Sequence, residues 1–170
     1  MRAWRARVAA ALIVAWAAWL AVSPLAAAQA SQSWILWSVA ATYRAGRLIC
    51  HQQPGRSPRV GGVQTAVCAR CLGLYEGAAA GAAAGLVWAR RRSDARTGAR
   101  QRLAAVKWLL AGSAVPTVAL WLAEHAAGVG VGNAIRFAGG LPLGAAAAAF
   151  VVAWAGGVPF DDTTRDSAVD

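Results

Sequence analysis

Apolar residues in this chain are grouped in four long blocks rather than spaced for an amphipathic face. A transmembrane helix needs roughly 20 mainly apolar residues to cross the hydrocarbon core of a bilayer, and each block has about that length. The pattern therefore predicts an all-α integral membrane protein with about four transmembrane helices. We place these helices at residues 8–28, 72–89, 106–127 and 135–158.

The longest polar connection between the blocks is residues 31–71. Its first part, 31–50, is too short and too polar to span a bilayer, and its tryptophans and aliphatic residues predict a helix that lies in the membrane interface. The Val-Gly-Gly-Val sequence at 60–63 predicts a tight turn. We expect residues 1–160 to form a single polytopic membrane domain and the acidic residues 161–170 to form a disordered tail.

The first apolar block permits a second interpretation. It follows the basic sequence MRAWRAR and ends near Ala28-Gln29-Ala30, a small-x-small pattern typical of signal-peptide cleavage sites. A retained first helix and a cleaved signal peptide are therefore both compatible with residues 1–30. The rest of the topology is the same in either case.

Composition supports the membrane class. The chain is 58% hydrophobic and only 14% charged, against roughly 25% charged residues in soluble domains. The net charge of +10 comes mostly from short arginine clusters beside the apolar blocks. Such clusters set the orientation of a membrane protein, and no basic and aromatic residues alternate on a soluble surface. We therefore expect the lipid bilayer as a partner and no nucleic acid.

The distribution of basic residues predicts the orientation of the helices. Basic residues precede the first block and crowd the connection at 90–107, and such clusters stay in the cytoplasm. Both termini are therefore expected to be cytoplasmic and the 31–71 loop to lie outside. The arginine- and alanine-rich composition suggests a bacterial source, so the predicted location is the bacterial cytoplasmic (inner) membrane.

Four glycines recur at every fourth residue of the second block. This spacing places them on one helical face, where a neighbouring helix can approach closely. The glycines either pack against another helix of the same chain, for which Gly140 and Gly144 offer a matching surface, or support a homo-oligomer or a membrane partner. They are Gly73, Gly77, Gly81 and Gly85.

Candidate chemistry is concentrated in the 31–71 loop. All three cysteines lie there, and Cys50 is followed directly by His51, while Cys68 and Cys71 form a CxxC motif. Three thiolates and an imidazole are ligands for tetrahedral zinc or for another thiophilic metal. Outside the cytoplasm the same thiols also form disulfides or redox-active pairs. Metal site, thiol-redox site and structural thiols all remain open at this point.

The predicted topology brings further polar residues to the membrane level of the cysteines. Glu76 is an ionisable residue one turn into the second helix, where a charge needs a partner or a cavity. No hydrolase, phosphate-loop, dinucleotide or haem-attachment motif is present in the sequence. The residues expected to surround and support the thiols are Arg70, Tyr75, Glu124, His125 and Arg136.

The chain resembles a bacterial and archaeal family of predicted small membrane proteins at ICHQQPGRS (49–57) and AVCARCLGLYEG (66–77). That family is known only as domain of unknown function two thousand and eighty-five, and its signature has the form C-H-Q-x-P-x-R-S, a short loop, then V-C-A-R-C-x-G-x-Y-x-G. A second, shorter resemblance lies at the start of the last block, where the family has an N-x-x-R-x-x-T-G-like sequence. The matching residues are Cys50, His51, Gln52, Pro54, Arg56, Ser57, Cys68, Ala69, Arg70, Cys71, Gly73, Tyr75, Gly77, Asn133, Arg136 and Gly140.

Three positions depart from the family pattern. Glu124 stands where the family commonly has Asp, Gly139 replaces the Thr before the glycine of the last helix, and Glu76 stands where an apolar residue is usual. The resemblance implies a polytopic membrane protein with an N-terminal membrane helix. It implies no reaction.

Two function hypotheses follow from the sequence. The first is a membrane protein with an extracytoplasmic Cys/His site that binds a metal, such as zinc, or carries out thiol-redox chemistry. The second is a small transporter or a membrane subunit of a larger complex, in which the glycine face docks a partner and the cysteines form a structural disulfide. The sequence does not decide whether the protein is an enzyme.

Overall fold

A computed structural model describes residues 2–91 and 99–158 of the chain. Within these residues the chain forms five α-helices, one turn of 3-10 helix at Pro54–Arg56 and one short β-hairpin. The elements are α1 (Arg2–Gln29), α2 (Ser33–Ile49), β1 (Arg59–Val60), β2 (Val63–Gln64), α3 (Ala69–Arg91), α4 (Ala99–Ala126) and α5 (Asn133–Ala155).

Four of the helices are long and apolar enough to cross a membrane, as the block pattern predicts. They are α1, α3, α5 and the part of α4 at Ala104–Ala126. The all-α membrane class is confirmed. The remaining helix, α2, is 17 residues long and amphipathic, and it corresponds to the predicted interfacial helix. The acidic residues 161–170 and residues 92–98 of the basic connection lie outside the described residues.

The helix boundaries differ from the predicted ones by a few residues. All four spanning helices begin before their apolar block, because a helix continues through the polar interface beyond the hydrocarbon core. The last helix also ends three residues early. Gly157 has a φ of +80°, and the Val158 N–H donates to the Ala153 carbonyl at 3.1 Å, which is the hydrogen-bond pattern of a glycine-terminated helix end.

The closest helix packing is between α3 and α5. Each of the four regularly spaced glycines of α3 lies against the backbone of α5, so that an added methyl group would overlap backbone atoms there. Gly140 and Gly144 of α5 pack in turn against the backbone around Leu74. The glycine groove is thus filled within the chain and is not open to a second protein. The facing pairs are Gly73–Phe137, Gly77–Leu141, Gly81–Ala145 and Gly85–Ala149.

The first helix packs across α3 and α5 through small residues. Ala6 and Ala10 are buried together with Ala82 and Val152, and short side chains let the helix axes approach closely. At its other end, Trp19 of α1 donates a 2.7 Å hydrogen bond to the Thr42 hydroxyl of α2. Helix α1 therefore anchors the interfacial helix as well as completing the membrane core.

Helix α4 packs less extensively, and mainly against α5. Val106 is its one buried residue among those whose side chains are described, and large side chains such as Val115 and Leu122 are exposed to lipid. Thr117 donates a 2.6 Å hydrogen bond to the Gly139 carbonyl of α5. The polar contacts of α4 are therefore important for its position.

Candidate metal site

The loop between α2 and α3 is organised around Gln52. Its φ is +47°, a left-handed conformation that non-glycine residues rarely adopt. The side-chain amide donates to the carbonyls of Tyr43, at 2.8 Å, and Ala66, at 2.6 Å. Gln52 thus joins the last turns of α2 to the segment that leads into the CxxC motif.

The hairpin and the end of α2 reinforce this arrangement. Gly61 and Gly62 both have positive φ and form the tight turn that the sequence predicts. The Tyr43 hydroxyl donates to the Gln64 carbonyl, and the buried Thr65 hydroxyl donates to the Val67 carbonyl at 2.8 Å. The backbone just before the CxxC motif is therefore fixed by hydrogen bonds from both sides.

Gly46 allows α2 to approach the segment that leads into the CxxC motif. A Cβ atom at this position would lie 2.7 Å from the Gln52 amide nitrogen and would overlap the Ala66 carbonyl. At the end of the same helix, the Cys50 N–H donates to the Gly46 carbonyl at 2.8 Å. The close approach at Gly46 thus places Cys50 beside the CxxC segment.

The three cysteines converge. Their sulfur atoms all lie within 4.8 Å of one another, and no disulfide joins them. The Cys68 N–H donates to the Cys50 sulfur at 3.1 Å, across a separation of 18 residues. Among the described residues these are the ones whose metal-ligating side chains come together in this way. Cys50 is buried, and Cys68 and Cys71 are partly exposed.

The surroundings of Cys68 favour its thiolate form. The hydrogen bond from the Cys71 thiol, with smaller contributions from Cys50 and from backbone groups, lowers the pKa of Cys68 to about 5. A thiolate is the form of cysteine that binds metals and attacks disulfides. Cys68 also lies directly before the first residue of α3, where the helix dipole favours negative charge.

A pocket of about 290 Å³ opens over the thiols. Its wall includes all three cysteines, both histidines of the protein, Arg56 and Arg70. A polar ligand therefore has access to the sulfur atoms from the aqueous side. Arg56 adds positive charge to the wall beside a group that becomes anionic on deprotonation.

The two histidines line this pocket but lie outside the thiol cluster. His51 is exposed, and its ring nitrogens are not among the converging ligand atoms. His125 is also exposed, stacks on the Trp121 ring at a centroid distance of 4.8 Å, and its Nδ1 donates to the Trp121 carbonyl at 2.9 Å. The structure therefore brings together three of the four predicted ligands and leaves the imidazole of His51 nearby.

Below the pocket, a buried carboxylate joins three helices. Glu124 of α4 pairs with Arg70 of α3, Oε2 to Nη2 at 2.9 Å, and with Arg136 of α5, Oε1 to Nε at 2.5 Å. The Glu124 side chain is 3% exposed, and those of Arg70 and Arg136 are 16% and 11% exposed. Arg136 also donates to Asn133 at 3.0 Å. Because Arg70 lies between the two CxxC cysteines, this cluster holds the start of α3 in place.

Tyr75 and Glu76 lie apart from the polar pocket. The Tyr75 ring packs edge-on against Trp16 of α1 at a centroid distance of 6.3 Å, and it lines an apolar cavity of about 620 Å³ between α1, α3 and α5. Cys71 lines this cavity as well as the polar pocket. Glu76 Oε1 is buried without a hydrogen-bond partner among the described residues.

Sequence reasoning did not select Gln52, Gly46 or Tyr43 as site residues. Of these three residues only Gln52 belongs to a sequence motif, as the third residue of CHQ. Gly46 and Tyr43 act through contacts made across the loop, and no local pattern marks them.

Comparison with known families agrees with these observations. A family model described as a predicted membrane protein, DUF2085, matches residues 50–150, which is more than half of the chain. The chain belongs to this family. The matched stretch of this DUF2085 protein begins at Cys50 and includes the thiol cluster, the Glu124 ion pairs and the α3–α5 glycine interface. Searches of curated proteins and of solved structures found no significant match, and the family description names no activity.

Proposed function

We propose that this protein binds a thiophilic metal ion, zinc in the first place, through Cys50, Cys68 and Cys71. The observation that supports the proposal is the approach of all three sulfur atoms to within 4.8 Å of one another without a disulfide. With Zn–S bonds of about 2.3 Å, tetrahedral coordination needs sulfur atoms about 3.8 Å apart. Small side-chain rotations would therefore complete the site.

The fourth coordination position faces the pocket. His51 lies next to Cys50 in the chain and lines the pocket, which makes it the candidate for the fourth ligand. Water or a substrate could fill the same position, and an open position of this kind distinguishes catalytic from structural zinc. Three thiolates and Zn²⁺ carry a net charge of −1, which Arg56 in the pocket wall would offset.

The arginine distribution supports an extracytoplasmic site in a bacterial inner membrane. Arg2, Arg5, Arg7, Arg90 and Arg91 lie at the helix ends opposite the cysteines, and basic clusters stay in the cytoplasm. In this orientation both termini are cytoplasmic and the thiol-bearing loop is outside. Metal would therefore enter from the extracytoplasmic side.

Thiol–disulfide exchange is the second candidate function. It is favoured by the position of Cys50, which lies within reach of both cysteines of the CxxC motif and can act as a third, resolving thiol. In this reaction two of the thiols would form a disulfide, and a substrate disulfide would take up the two electrons and two protons to become a dithiol.

Metal analysis of the purified full-length protein tests the proposal. We expect one zinc ion per chain after purification in a mild detergent under reducing conditions, and loss of that zinc in Cys50→Ser, Cys68→Ser and Cys71→Ser. In His51→Ala, zinc affinity should fall if the imidazole is the fourth ligand. Gln53→Ala is the matched control, since Gln53 lines the same pocket but donates no side-chain hydrogen bond among those described.

Two results would contradict the metal proposal. A protein without stoichiometric metal, whose thiols change between free and disulfide-bonded forms with the redox potential of a glutathione buffer, would support thiol–disulfide exchange instead. If the three serine variants retain wild-type metal content, the ion is bound elsewhere and the metal proposal is wrong.

A further inference from the structure

A second cavity lies at the opposite end of the helices from the thiols. Its volume is about 160 Å³, and it is formed where the start of α1 meets the ends of α3 and α5. Small residues, Ala6, Ala89 and Gly156, line part of the wall. The rest is lined largely by arginines, and we call this cavity the arginine cleft.

Three arginine residues line the arginine cleft. Arg2 and Arg7 come from α1, and Arg90 comes from the last turn of α3. Arg2 also lines an adjoining cavity of about 300 Å³ together with Arg5 and Trp154. Like charges brought together in this way repel one another, and an anion between them would remove the repulsion.

No carboxylate in the described part of the chain neutralises this charge. The acidic residues described there are Glu76 and Glu124. Glu124 is paired with Arg70 and Arg136 beneath the thiol pocket, and Glu76 lies in the half of α3 nearest the thiols. The ion pairs found among the described residues include none of the arginines of the cleft.

Exposed tryptophans place the arginine cleft at the level of lipid headgroups. Trp4 is 67% exposed and Trp154 is 65% exposed, and tryptophans of this kind mark the membrane–water interface. Helix dipoles do not favour an anion here, because one helix N-terminus and two helix C-termini meet at the cleft. The preference for an anion comes from the arginines, since guanidinium groups bind phosphate oxygens in bidentate geometry.

From these observations we propose that the arginine cleft binds the phosphate headgroup of an anionic phospholipid. Ligand pockets for whole drug-sized molecules measure roughly 300–1,000 Å³, so a cleft of about 160 Å³ suits a headgroup phosphate whose acyl chains remain in the bilayer. Basic pockets between transmembrane helices are known to select anionic lipids in this way. The inference does not depend on the proposed metal site.

The test measures lipid binding to the purified full-length protein by native mass spectrometry, with phosphatidylglycerol, phosphatidylcholine and inorganic phosphate as separate ligands. We expect one phosphatidylglycerol to be retained under conditions that remove phosphatidylcholine. Arg90→Gln should weaken retention about fivefold, and combining it with Arg2→Gln and Arg7→Gln should weaken it about a hundredfold.

Arg91→Gln is the matched control. Arg91 is the next residue of the same helix end, carries the same charge and does not line the cleft, so its replacement should leave lipid retention unchanged. No variant should have a lower thermal midpoint than the wild type in detergent without added lipid, which would separate weaker lipid binding from loss of folding.

Three results would overturn the proposal. Equal effects of Arg90→Gln and Arg91→Gln would mean that the arginines act only as a general positive charge that orients the protein. Inorganic phosphate that competes at concentrations similar to those of the lipid would identify a soluble-anion site. Equal retention of phosphatidylglycerol and phosphatidylcholine would mean that the cleft selects no anionic lipid.

Discussion

Replacing Glu124 with Gln should destabilise the protein strongly, because Glu124 is the shared partner of two buried arginines. The carboxylate accepts a hydrogen bond from Arg70 at 2.9 Å and one from Arg136 at 2.5 Å. Hydrogen bonds to charged groups contribute about 1.5–3 kcal/mol each, so the two together give about 3–6 kcal/mol. The arginines are 16% and 11% exposed, and water would solvate them partly after the change.

We therefore expect a loss of about 3 kcal/mol in the free energy of unfolding for Glu124→Gln, which agrees with the penalty of about 3–5 kcal/mol for breaking a buried ion pair. The assay is unfolding of the detergent-solubilised protein by SDS, followed by the fluorescence of its nine tryptophans. Because Arg70 lies inside the CxxC motif, zinc affinity should also fall, by about 10–100-fold.

Glu76→Gln is the control for this experiment. It makes the same chemical change in a membrane helix, but Glu76 Oε1 has no hydrogen-bond partner among the described residues, so removing its charge should not destabilise the protein. The reasoning is refuted if Glu124→Gln and Glu76→Gln change the free energy of unfolding by the same amount, since the ion pairs would then contribute nothing measurable.

Three further predictions concern the fold and the loop. Gly77→Ala should cost about 1–3 kcal/mol of unfolding free energy in the SDS assay, because the added methyl group would overlap the α5 backbone. The control is Gly112→Ala on α4, which faces open space and should be neutral or slightly stabilising. Equal losses in the two variants would argue against the glycine interface. Gln52→Ala should lower zinc affinity about 10–100-fold, because the loop between α2 and the CxxC motif would lose the hydrogen bonds that hold it. The control Gln53→Ala should keep wild-type affinity. An unchanged zinc affinity in Gln52→Ala would show that the loop needs no support from Gln52. The intact mass of the protein purified from membranes should correspond to a chain that includes α1, because α1 packs against α3 and α5. A mass that matches a chain beginning at Ser31 would instead identify α1 as a cleaved signal peptide.

The position of the polar groups along the membrane normal could be predicted from the sequence, but their partners could not. Arg70, Glu124 and Arg136 each lie at a helix end, and alternation of helix direction places those ends on one side of the membrane. Their ion pairs depend on how α3, α4 and α5 rotate about their axes, and α4 shows no strong periodicity that would fix its rotation. His51 is a similar case. It is adjacent to Cys50 in sequence, yet neighbouring side chains diverge, and its imidazole lies outside the thiol cluster.

The sequence by itself determined the membrane class, the four segments long and apolar enough to span a bilayer and the glycine face of α3, because each of these depends on local spacing measured against bilayer thickness or helical pitch. Only the tertiary structure decided that this face is filled by α5 of the same chain and that Cys50 meets Cys68 and Cys71. It also decided that Gln52 holds the loop in place. The physical reason is the same in all three cases: such contacts join residues that are far apart in the chain, and their geometry is set by helix packing and loop hydrogen bonds rather than by any repeating pattern.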